Sequence, residues 1–454
     1  MTLTSPFSLI RDYNRQILAT RVRKDWPDDF PITPFDHQID AAAEFINSDG
    51  RMMLGWEMGS GKTIGAALII HAINAGPVVV FCPASLMLQH KRELEKALPD
   101  RAVQIFKDKI DATDPTETLV ICSYARTAKF KKAIQNLPFK FEFAVCDEST
   151  FIKNHKAQRT KDVEAMVRTI PFVLMLSGTP IINRPVDLFT QLRIANPDKF
   201  DDWWRFTRRF CNGHQGPFGY LADGLSHADE LSSLTKSIMH RVHKSDCMDL
   251  PEKTRTKVPV RFKPKDYIDW HEETLHVGLQ KAIRAKDWRK DWLVTRCDEK
   301  LVMFTTHVEV ANSLHHYCQG QSVMFTGETP SWKRDQLVRQ FQEDRGTNTL
   351  ITTIGAGGMG LNLQFAEQLM FVEMDFSPMQ MLQAEDRIHR AGMTGGANIH
   401  YLVAEDTYDE KLFRLLISKY GMANRVIDGV IDPNENLFGE LFKQTRATLV
   451  NEVA

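Results

Sequence analysis

The sequence lacks the usual patterns of a disulfide-bonded secreted protein, of a histidine-ligated metal site and of a membrane span. Its seven cysteines include no CxxC pair, and none of its 15 histidines stands in an HExxH pattern. These absences exclude a disulfide framework and a zinc site of the usual spacing, and they indicate a reducing compartment. Polar residues, Gly76 and Pro77 interrupt the most apolar stretch, residues 66–88, so we expect no membrane span.

An excess of charge of either sign is also absent. Lys and Arg number 57 against 58 Asp and Glu, which gives a net charge of -1. This balance excludes a wholly basic nucleic-acid coat, but it allows a basic groove that is offset by acidic surface elsewhere. Hydrophobic residues make up 43% and charged residues 25% of the 454 residues. The composition is that of a globular protein, and the length predicts more than one domain.

Short apolar runs alternate with helical segments, in two series along the chain. Such runs, separated by helices, are typical of parallel sheets covered on both faces. The sequence therefore predicts an α/β fold with two parallel-sheet domains and a helical, aromatic insertion between them. Strands are predicted at 52–54, 78–81, 119–122, 143–146, 173–176, 301–305, 323–326, 349–353, 369–373 and 399–403. We predict five parts: a basic arm at 1–30, a first domain at 31–196, a helical insertion and linker at 197–292, a second domain at 293–425 and a helical tail at 426–454.

The segment MMLGWEMGSGKT, residues 52–63, is predicted to bind phosphate. A strand enters a glycine-rich turn, and a helix leaves it with its amino-terminal N–H groups directed at the turn. The glycines let backbone amides converge on phosphate oxygens without a Cβ clash. Lys62 would reach the β- and γ-phosphates, and the Thr63 hydroxyl would bind Mg²⁺. The first glycine of the usual pattern is displaced to Gly55, and a plain glycine-rich turn is the alternative. The phosphate-binding residues would be Gly59, Ser60, Gly61, Lys62 and Thr63.

An acidic pair, Asp147 and Glu148, follows the predicted strand at 143–146. A carboxylate at the end of a strand is suited to hold Mg²⁺, and a second one to orient and deprotonate an attacking water. Asp147 is assigned the metal and Glu148 the water. The pair alone is common in α/β domains, but together with Lys62 and Thr63 it indicates phosphoryl transfer.

A third group lies far downstream, in the segment QAEDRIHRAG at 383–392. Arg387 and Arg390 are three residues apart, which would place them on adjacent turns of one helical face. The glycine-rich stretch at 352–363 precedes them. An arginine that meets the γ-phosphate from a second domain would couple hydrolysis to domain closure. Two solvated surface charges are the alternative.

These motifs together resemble a superfamily-2 helicase or translocase of the SWI/SNF-like branch, over most of the chain and in the family's order. The resemblance implies two tandem RecA-like domains that bind ATP and Mg²⁺. Within the branch, the passage at 209–253 is similar to annealing helicases, and the compact plan to phage branch-migration helicases. The similar segments are FDHQ (35–38), GWEMGSGKT (55–63), CPASLMLQHKREL (82–94), CSYAR (122–126), DEST (147–150, where the family has DEAH), LSGTPIINRPVDLF (176–189), LVMFTTH (301–307), VMFTGETPSWKRDQLVRQF (323–341), and those that end at Asn362 and Arg390.

The resemblance also implies roles for further residues. Gln38 would contact adenine, Gly360 and Gln383 would lie at the nucleotide, and Lys62, Asp147, Glu148, Arg387 and Arg390 would be catalytic. Ser177, Gly178 and Thr179 would couple the ATP site to nucleic acid. Non-specific contacts to the DNA backbone are expected from Pro83, Ala84, Ser123, Tyr124, Thr352 and Thr353.

We therefore hypothesise an ATP-dependent DNA helicase that unwinds or branch-migrates forked DNA as a monomeric motor. It would act without sequence specificity, away from membranes, in bacterial or phage-infected cytoplasm. A duplex translocase without strand separation and a catalytically silent DNA-binding scaffold remain alternatives. Basic residues of the arm, of 205–209 and of 281–290 would line the DNA, or else form solvated helix faces. Trp203, Trp204 and Phe206 would form a wedge, or else the core of a helical protrusion.

Overall fold

The computed structural model describes residues 30–48, 50–111, 114–263, 266–296, 298–357, 361–390, 393 and 395–429, and it divides into two compact units. The first unit comprises residues up to 248 together with 423–429, and the second comprises 249–422. The predicted basic arm, the tail beyond 429 and Gly360 lie outside the described residues. No helix in the described ranges has the length and apolar character needed to cross a membrane.

The first unit is built on a seven-stranded parallel sheet with the order β3-β4-β2-β5-β6-β1-β9. Its central strands are almost wholly apolar and buried, as expected when helices cover both faces of a parallel sheet. The strands are β1 (Arg51–Trp56), β2 (Val78–Cys82), β3 (Ala102–Ile105), β4 (Thr118–Ser123), β5 (Phe143–Asp147), β6 (Phe172–Leu176) and β9 (Met239–Val242), with a separate hairpin of β7 (His214–Gly216) and β8 (Gly219–Leu221).

Helices pack on this sheet and connect its strands. Because β6 lies between β5 and β1, the segments that follow these three strands emerge side by side at their carboxyl ends. Ligands of parallel sheets bind at this edge. The helices are α1 (Asp36–Asn47), α2 (Lys62–Ala72), α3 (Met87–Ala97), α4 (Thr127–Ala133), α5 (Gln158–Val167), α6 (Phe189–Ala195), α7 (Trp203–Phe210), α8 (Ala228–Lys236) and α9 (Lys244–Cys247).

The second unit has a six-stranded parallel sheet with the order β10-β15-β14-β11-β13-β12. Two apolar clusters of buried residues lie in this unit. The strands are β10 (Lys253–Val260), β11 (Leu301–Thr305), β12 (Ser322–Phe325), β13 (Thr349–Thr353), β14 (Gln368–Phe371) and β15 (Ala397–Ala404). The helices are α10 (Trp270–Thr295), α11 (Val308–Tyr317), α12 (Ser331–Glu343), α13 (Ile354–Gly357), α14 (Pro378–Glu385) and α15 (Tyr408–Ile427), whose last residues group with the first unit.

The predicted two-sheet α/β fold is confirmed, and every predicted strand is present within two residues at each end. The region expected at 197–292 as an insertion differs in one respect: it is divided between the units at 248/249. β9 pairs with β1 and β10 pairs with β15, so both sheets extend into it. Both are edge strands with polar residues, which is why their apolar signal is weak. The helical and aromatic parts are likewise divided: α7, the β7–β8 hairpin, α8 and α9 belong to the first unit, and α10 belongs to the second.

Candidate nucleotide-binding site

The phosphate loop joins β1 to α2, and its backbone requires glycine at two positions. Gly59 and Gly61 have φ angles of 89° and 81°, in the left-handed region that side chains disfavour. A Cβ on Gly61 would also lie 2.6 Å from Nε2 of Gln38. Gly61 immediately precedes α2, so the first N–H groups of that helix are available to an anion. The geometry is that expected of a phosphate-binding loop.

Lys62 stands at the first position of α2 and reaches back into the loop. Its Nζ donates hydrogen bonds to the carbonyl oxygens of Trp56, at 2.9 Å, and Glu57, at 3.2 Å. The Ser60 hydroxyl donates to the same Glu57 carbonyl, at 2.7 Å. Thr63, one residue further on, is partly exposed. The loop is thus closed by its own side chains, with the lysine ammonium near its centre.

Gln38 supports the loop from α1 rather than lying open to a base. Its side chain is 1% exposed, its Nε2 donates to the Gly61 carbonyl at 3.1 Å, and its Oε1 accepts from the Phe35 amide at 2.9 Å. Nε2 of the neighbouring His37 lies 2.9 Å from the Ser60 carbonyl. The structure therefore places Gln38 as a residue that holds the loop, which differs from the expected adenine contact because α1 packs directly against the loop.

Trp56, which occupies the position where the usual motif has its first glycine, belongs to the core. It is fully buried, and its indole Nε1 donates to Nδ1 of His240 at 2.9 Å. A Cβ on Gly65 would lie 2.6 Å from its ring, so the glycine in α2 leaves room for the indole. The residue at the first motif position therefore packs in the core beneath the loop, and the glycine lies one position earlier, at Gly55.

Asp147 is the last residue of β5 and is buried. Nε2 of His90, which is also buried, lies 2.8 Å from its Oδ2. Burial disfavours charge on both groups, but their mutual attraction outweighs it: the pKa of His90 is raised, and the pKa of Asp147 is lowered by His90 and then by Lys62. Asp147 is therefore held as a carboxylate in a fixed orientation. Glu148 follows with φ 47° and ψ 57°, a strained left-handed conformation of the kind found at functional sites.

His90 was not among the residues predicted for the site. It shares one face of α3 with Leu94 and Ala97, at the i, i+4 and i+7 spacing of a buried helical stripe. The signal available in the sequence was a histidine within an otherwise apolar buried stripe, which indicates a buried polar partner. Only the fold shows that the residue opposite it is Asp147, because the two lie in different elements.

The residues assigned to DNA contact in this unit are mostly buried. The side chains of Pro83, Ser123 and Tyr124 are inaccessible, whereas Ala84 is exposed. The Tyr124 hydroxyl donates to the Asp147 carbonyl at 2.8 Å. Tyr124 thus supports the acidic pair, and in this structure its side chain is not available to nucleic acid.

The coupling segment follows β6, between the phosphate loop and the acidic pair in the sheet order. Ser177 is fully buried, and its hydroxyl accepts a hydrogen bond from the Thr179 amide at 3.1 Å. A Cβ on Gly178 would lie 3.5 Å from Nζ of Lys62. The structure therefore brings the segment of Ser177, Gly178 and Thr179 beside the phosphate loop, and its coupling role stays a prediction.

Charged residues lie behind the loop. Glu57 accepts from Nδ1 of His243 at 3.2 Å and from the Lys244 amide at 3.0 Å. Burial alone would raise the pKa of Glu57, but these bonds and the charge of Arg241 lower it to about 2. Asp428 lies 2.8 Å from Nε of Arg241 and 3.4 Å from Nε2 of His243. We name this group, Glu57, Arg241, His243 and Asp428, the latch cluster, since it joins residues 423–429 to the phosphate loop.

The two arginines of the second unit do not lie on a helix as predicted. α14 ends at Glu385, and the chain then continues as turns, with the amides of Arg387 and Ile388 bonded to the carbonyls of Ala384 and Glu385. Arg387 is buried and its Nη1 lies 3.5 Å from the Leu361 carbonyl, whereas Arg390 is partly exposed. The expected common helical face is therefore wrong.

Buried charge fixes the end of α14. Glu385 is fully buried and accepts from Nε of Arg255 at 2.8 Å, Nζ of Lys253 at 3.2 Å and the Tyr401 hydroxyl at 2.6 Å. Burial would raise the pKa of Glu385, but Arg255 and Lys253 lower it to about 2. We name these four residues the Glu385 hub. It ties the arginine segment to β10 and β15, and the sequence patterns did not reveal it.

The other residues predicted in the second unit have mixed positions. Gln383 is partly buried in α14, Thr352 is fully buried in β13 and Thr353 is partly exposed. A Cβ on Gly357 would lie 2.5 Å from Cγ2 of Thr352, which explains a glycine at the end of α13. Of the two threonines, Thr353 alone has an accessible side chain for a nucleic-acid contact.

Two family descriptions match the chain: "SNF2-related domain" over residues 37–318 and "Helicase conserved C-terminal domain" over residues 288–392. The mouse (Mus musculus) DNA annealing helicase and endonuclease ZRANB3 is 30% identical over 443 residues, covering 88% of this chain and 41% of its own length. A Caenorhabditis elegans homologue of the SWI/SNF-related matrix-associated actin-dependent regulator of chromatin subfamily A-like protein 1 is 29% identical, covering 86% and 61%. The chain thus spans about two fifths to three fifths of these relatives.

A solved Sulfolobus solfataricus SWI2/SNF2 ATPase core in complex with dsDNA aligns with a TM-score of 0.45 and 20% identity, over 91% of this chain and 97% of that one. The family resemblance expected from the motifs is confirmed by the two family matches. The bacterial or phage setting stays a prediction, and the two relatives named are from mouse and nematode.

Proposed function

This chain belongs to the SNF2-related family, and we propose that it is an ATP-dependent DNA helicase that acts on forked or branched DNA. One observation carries the ATP part of the proposal. The loop after β1, the coupling segment after β6 and Asp147 at the end of β5 lie at the carboxyl ends of three adjacent strands. This edge of a parallel sheet is where phosphate-bearing ligands bind.

The first unit supplies the groups that phosphoryl transfer needs. The amides after Gly59 and Gly61 would bind phosphate oxygens, and Lys62 would neutralise charge on the β- and γ-phosphates. Thr63 and Asp147 offer oxygen donors, which fit Mg²⁺, and the carboxylate is kept ionised by His90. When bound, Mg²⁺ would supply charge stabilisation at the phosphates.

Glu148 is the proposed water-orienting base. It follows Asp147 directly, and its left-handed backbone turns it away from the course of β5. Strain of this kind persists only where the surrounding structure enforces it. The carboxylate of Glu148 would accept a proton from the attacking water as the water oxygen bonds to the γ-phosphorus and the bond to the leaving ADP oxygen breaks. Asp147 would be the residue that holds Mg²⁺.

The second unit is proposed to complete hydrolysis with Arg387 and Arg390. Arginine stabilises the charge that develops on the transferring phosphoryl group. Arg390 is the more accessible of the two, so we assign it the direct contact and Arg387 a supporting one. Gln383, and Gly360 outside the described residues, stay assigned to the nucleotide as predictions, and Ser177 to Thr179 to coupling.

The proposal that DNA is the partner rests on the relatives, one of which is named as a DNA annealing helicase. We propose contacts to the sugar-phosphate backbone, since these suit a motor that steps over any base. Ala84 and Thr353 are the predicted contacts with accessible side chains. A monomeric motor in the cytoplasm completes the proposal.

The test is ATP hydrolysis and product formation on linear duplex, on a single strand with a tail and on a four-way junction. The expected result is ATP-dependent resolution of the junction, with the Lys62→Ala variant inactive on all three substrates. Hydrolysis stimulated by duplex without strand separation on any DNA would make the protein a translocase. DNA binding without any hydrolysis would make it a scaffold.

A further inference from the structure

The β7–β8 hairpin ends in a phenylalanine that packs against none of the residues that the structure describes. Gly216 and Gly219 are paired across the hairpin, so the turn consists of Pro217 and Phe218. The Phe218 side chain is 104% exposed, as open as in an extended peptide. A single exposed apolar residue is ordinary on a protein surface. A large aromatic ring at the tip of a hairpin whose base is packed is less common than a scattered exposed residue, and it can contact a ligand without disturbing the fold.

The base of the hairpin is rigidly held by α7. The Tyr220 hydroxyl lies 3.0 Å from Oγ1 of Thr207, and the Tyr220 ring lies 4.7 Å from that of Trp204 in an edge-on contact. The Gly213 amide donates to the Thr207 carbonyl at 3.0 Å. The hairpin is therefore braced at its base, while the ring at its tip contributes no packing. Removing that ring should leave the fold intact.

The surface at the hairpin base combines a flat aromatic ring with positive charge. Trp204 is 52% exposed, and Arg208, one turn further along α7, is exposed beside it and donates from Nε to the Trp204 carbonyl at 3.3 Å. Arg209 is paired with Glu230 and Arg205 shares a cavity with Asp198 and Asp202, whereas Arg208 forms no ion pair with any described residue. An exposed ring beside an arginine without an acidic partner is the chemistry that binds unstacked bases and phosphates.

The remaining aromatics of α7 do not belong to this surface. Phe206 is buried, and Trp203 is packed between His155, at 4.8 Å, and Tyr220, at 5.5 Å. The wedge expected from Trp203, Trp204 and Phe206 is thus reduced to Trp204, and the other two are core residues of the protrusion. The exposed apolar tip is instead Phe218, which the sequence patterns did not single out.

We propose that the β7–β8 hairpin is a strand-separating pin whose tip, Phe218, stacks on the terminal base pair at a DNA fork. Trp204 and Arg208 contact the displaced strand beside it, the ring through a base and the guanidinium through the sugar-phosphate backbone. The inference rests on the proposed function and deepens it, because a pin distinguishes a helicase from a pure translocase. Stacking on a ring requires no particular base, in keeping with action on any sequence.

The experiment compares Phe218→Ala and Phe218→Trp with the wild type on forked DNA and on linear duplex. Trp332→Ala is the matched control, since Trp332 is also an exposed aromatic, 69% accessible, on α12 of the other unit. We expect Phe218→Ala to hydrolyse ATP on linear duplex within about twofold of wild type, because its ring packs on nothing. We expect its strand-separation rate on the fork to fall at least about tenfold, since one base-stacking contact is lost. Phe218→Trp should restore it, and Trp332→Ala should separate strands normally.

Each other result has a distinct meaning. Equal strand separation by wild type and Phe218→Ala would overturn the pin and leave the helicase proposal standing. A wild type that hydrolyses ATP on duplex but separates no strands would overturn the helicase proposal, and the pin with it. Normal strand separation together with loss of a co-purifying protein in Phe218→Ala would show that the tip binds a protein instead.

Discussion

The two units hold their candidate active residues by different means. In the first, the phosphate loop is shaped by Gly59 and Gly61 and closed by hydrogen bonds from Lys62 to carbonyls of the same loop. In the second, the segment that carries Arg387 and Arg390 follows a helix end fixed by the buried Glu385 hub. One arrangement depends on backbone geometry and the other on a group of buried charges.

This difference predicts how each unit responds to mutation. Shortening Lys62 removes two hydrogen bonds within the loop but keeps the glycines that set its backbone, so a substitution there should act on chemistry more than on stability. A buried hub has charges that cannot be left alone, because an uncompensated buried charge costs several kcal/mol. A substitution there should act on stability and only indirectly on chemistry.

The largest effect should come from Lys62→Ala. Removing the ammonium deletes the counter-charge to the β- and γ-phosphates, and we expect kcat to fall by about 10⁴ or more, since phosphoryl transfer depends on such electrostatic stabilisation. The midpoint of urea unfolding should change little, because the loop glycines remain. Steady-state ATP hydrolysis and urea titration measure the two effects, and a variant that turns over normally would refute the site.

Arg390→Ala should give the next largest effect, from the opposite unit. An arginine that meets the transition state affects kcat and not nucleotide affinity, and its loss costs about 10³ in rate. Fluorescent ATP-analogue binding should therefore equal that of the wild type while turnover is lost. Arg345→Ala, an exposed arginine of the same unit, is the control. Normal kcat in Arg390→Ala would exclude the assigned role.

The same contrast separates what was predictable from the sequence. Both sheets, the phosphate loop and the acidic pair were predictable, because each depends on residues that are close together in the chain or on a repeating apolar pattern. The pairing of His90 with Asp147 joins elements 57 residues apart, and nothing in the spacing indicates it.

The second unit was harder to predict for a related reason. Arg387 and Arg390 suggest a helical face by their spacing, but the helix ends at Glu385. The residues that hold this end, Lys253 and Arg255, come from the other end of the unit's sequence. Propensity is a weak guide where tertiary contacts of this kind decide the outcome.

Glu385→Gln tests the hub. The amide leaves the largely buried Arg255 without its carboxylate partner, while Lys253 keeps Asp386 at 3.7 Å, so we expect the free energy of unfolding to drop by about 3–5 kcal/mol. Chemical denaturation measures this. Glu405→Gln is the matched control, because its partner Arg261 is largely exposed, and such pairs contribute at most about 1 kcal/mol. An equal loss of unfolding free energy in the two variants would show that the Glu385 hub stabilises the unit no more than an exposed ion pair does.

His90→Ala tests whether the first unit has its own buried-charge dependence. Loss of the partner of Asp147 should raise the Mg²⁺ concentration needed for half-maximal activity by about 10–100-fold, the usual cost of removing a residue that orients a metal ligand. A Mg²⁺-dependent shift in thermal unfolding should weaken in parallel. Tyr124→Phe, which loses only a bond to the Asp147 carbonyl, should have a smaller effect. An unchanged Mg²⁺ requirement would show that His90 serves packing alone.

The latch cluster should give the smallest effect, and one that depends on pH. His243 bonds to Asp428 and Glu57, which raise its pKa from 6.5 to about 9. A group whose pKa is raised on folding stabilises the folded form fully below its unfolded value and loses that contribution as pH rises through the folded one. Protection of the 423–429 amides should therefore be full near pH 6 and decline between about pH 6.5 and 9. The decline should be partial, since Arg241 stays charged beside Asp428 and Glu57.

Hydrogen exchange of these amides, corrected for intrinsic rates, measures the decline. His243→Asn is the control: it cannot titrate, so its protection should be lower at pH 6 and constant through pH 9. Lowering the pH below 6 should not weaken the latch cluster through Glu57, because this carboxylate keeps its charge down to a pKa of about 2. If the wild type stays equally protected up to pH 10, Arg241 alone holds residues 423–429. The latch cluster would then depend on the permanent charge of Arg241, as the Glu385 hub depends on that of Arg255. The two units would differ only in how the phosphate loop is held.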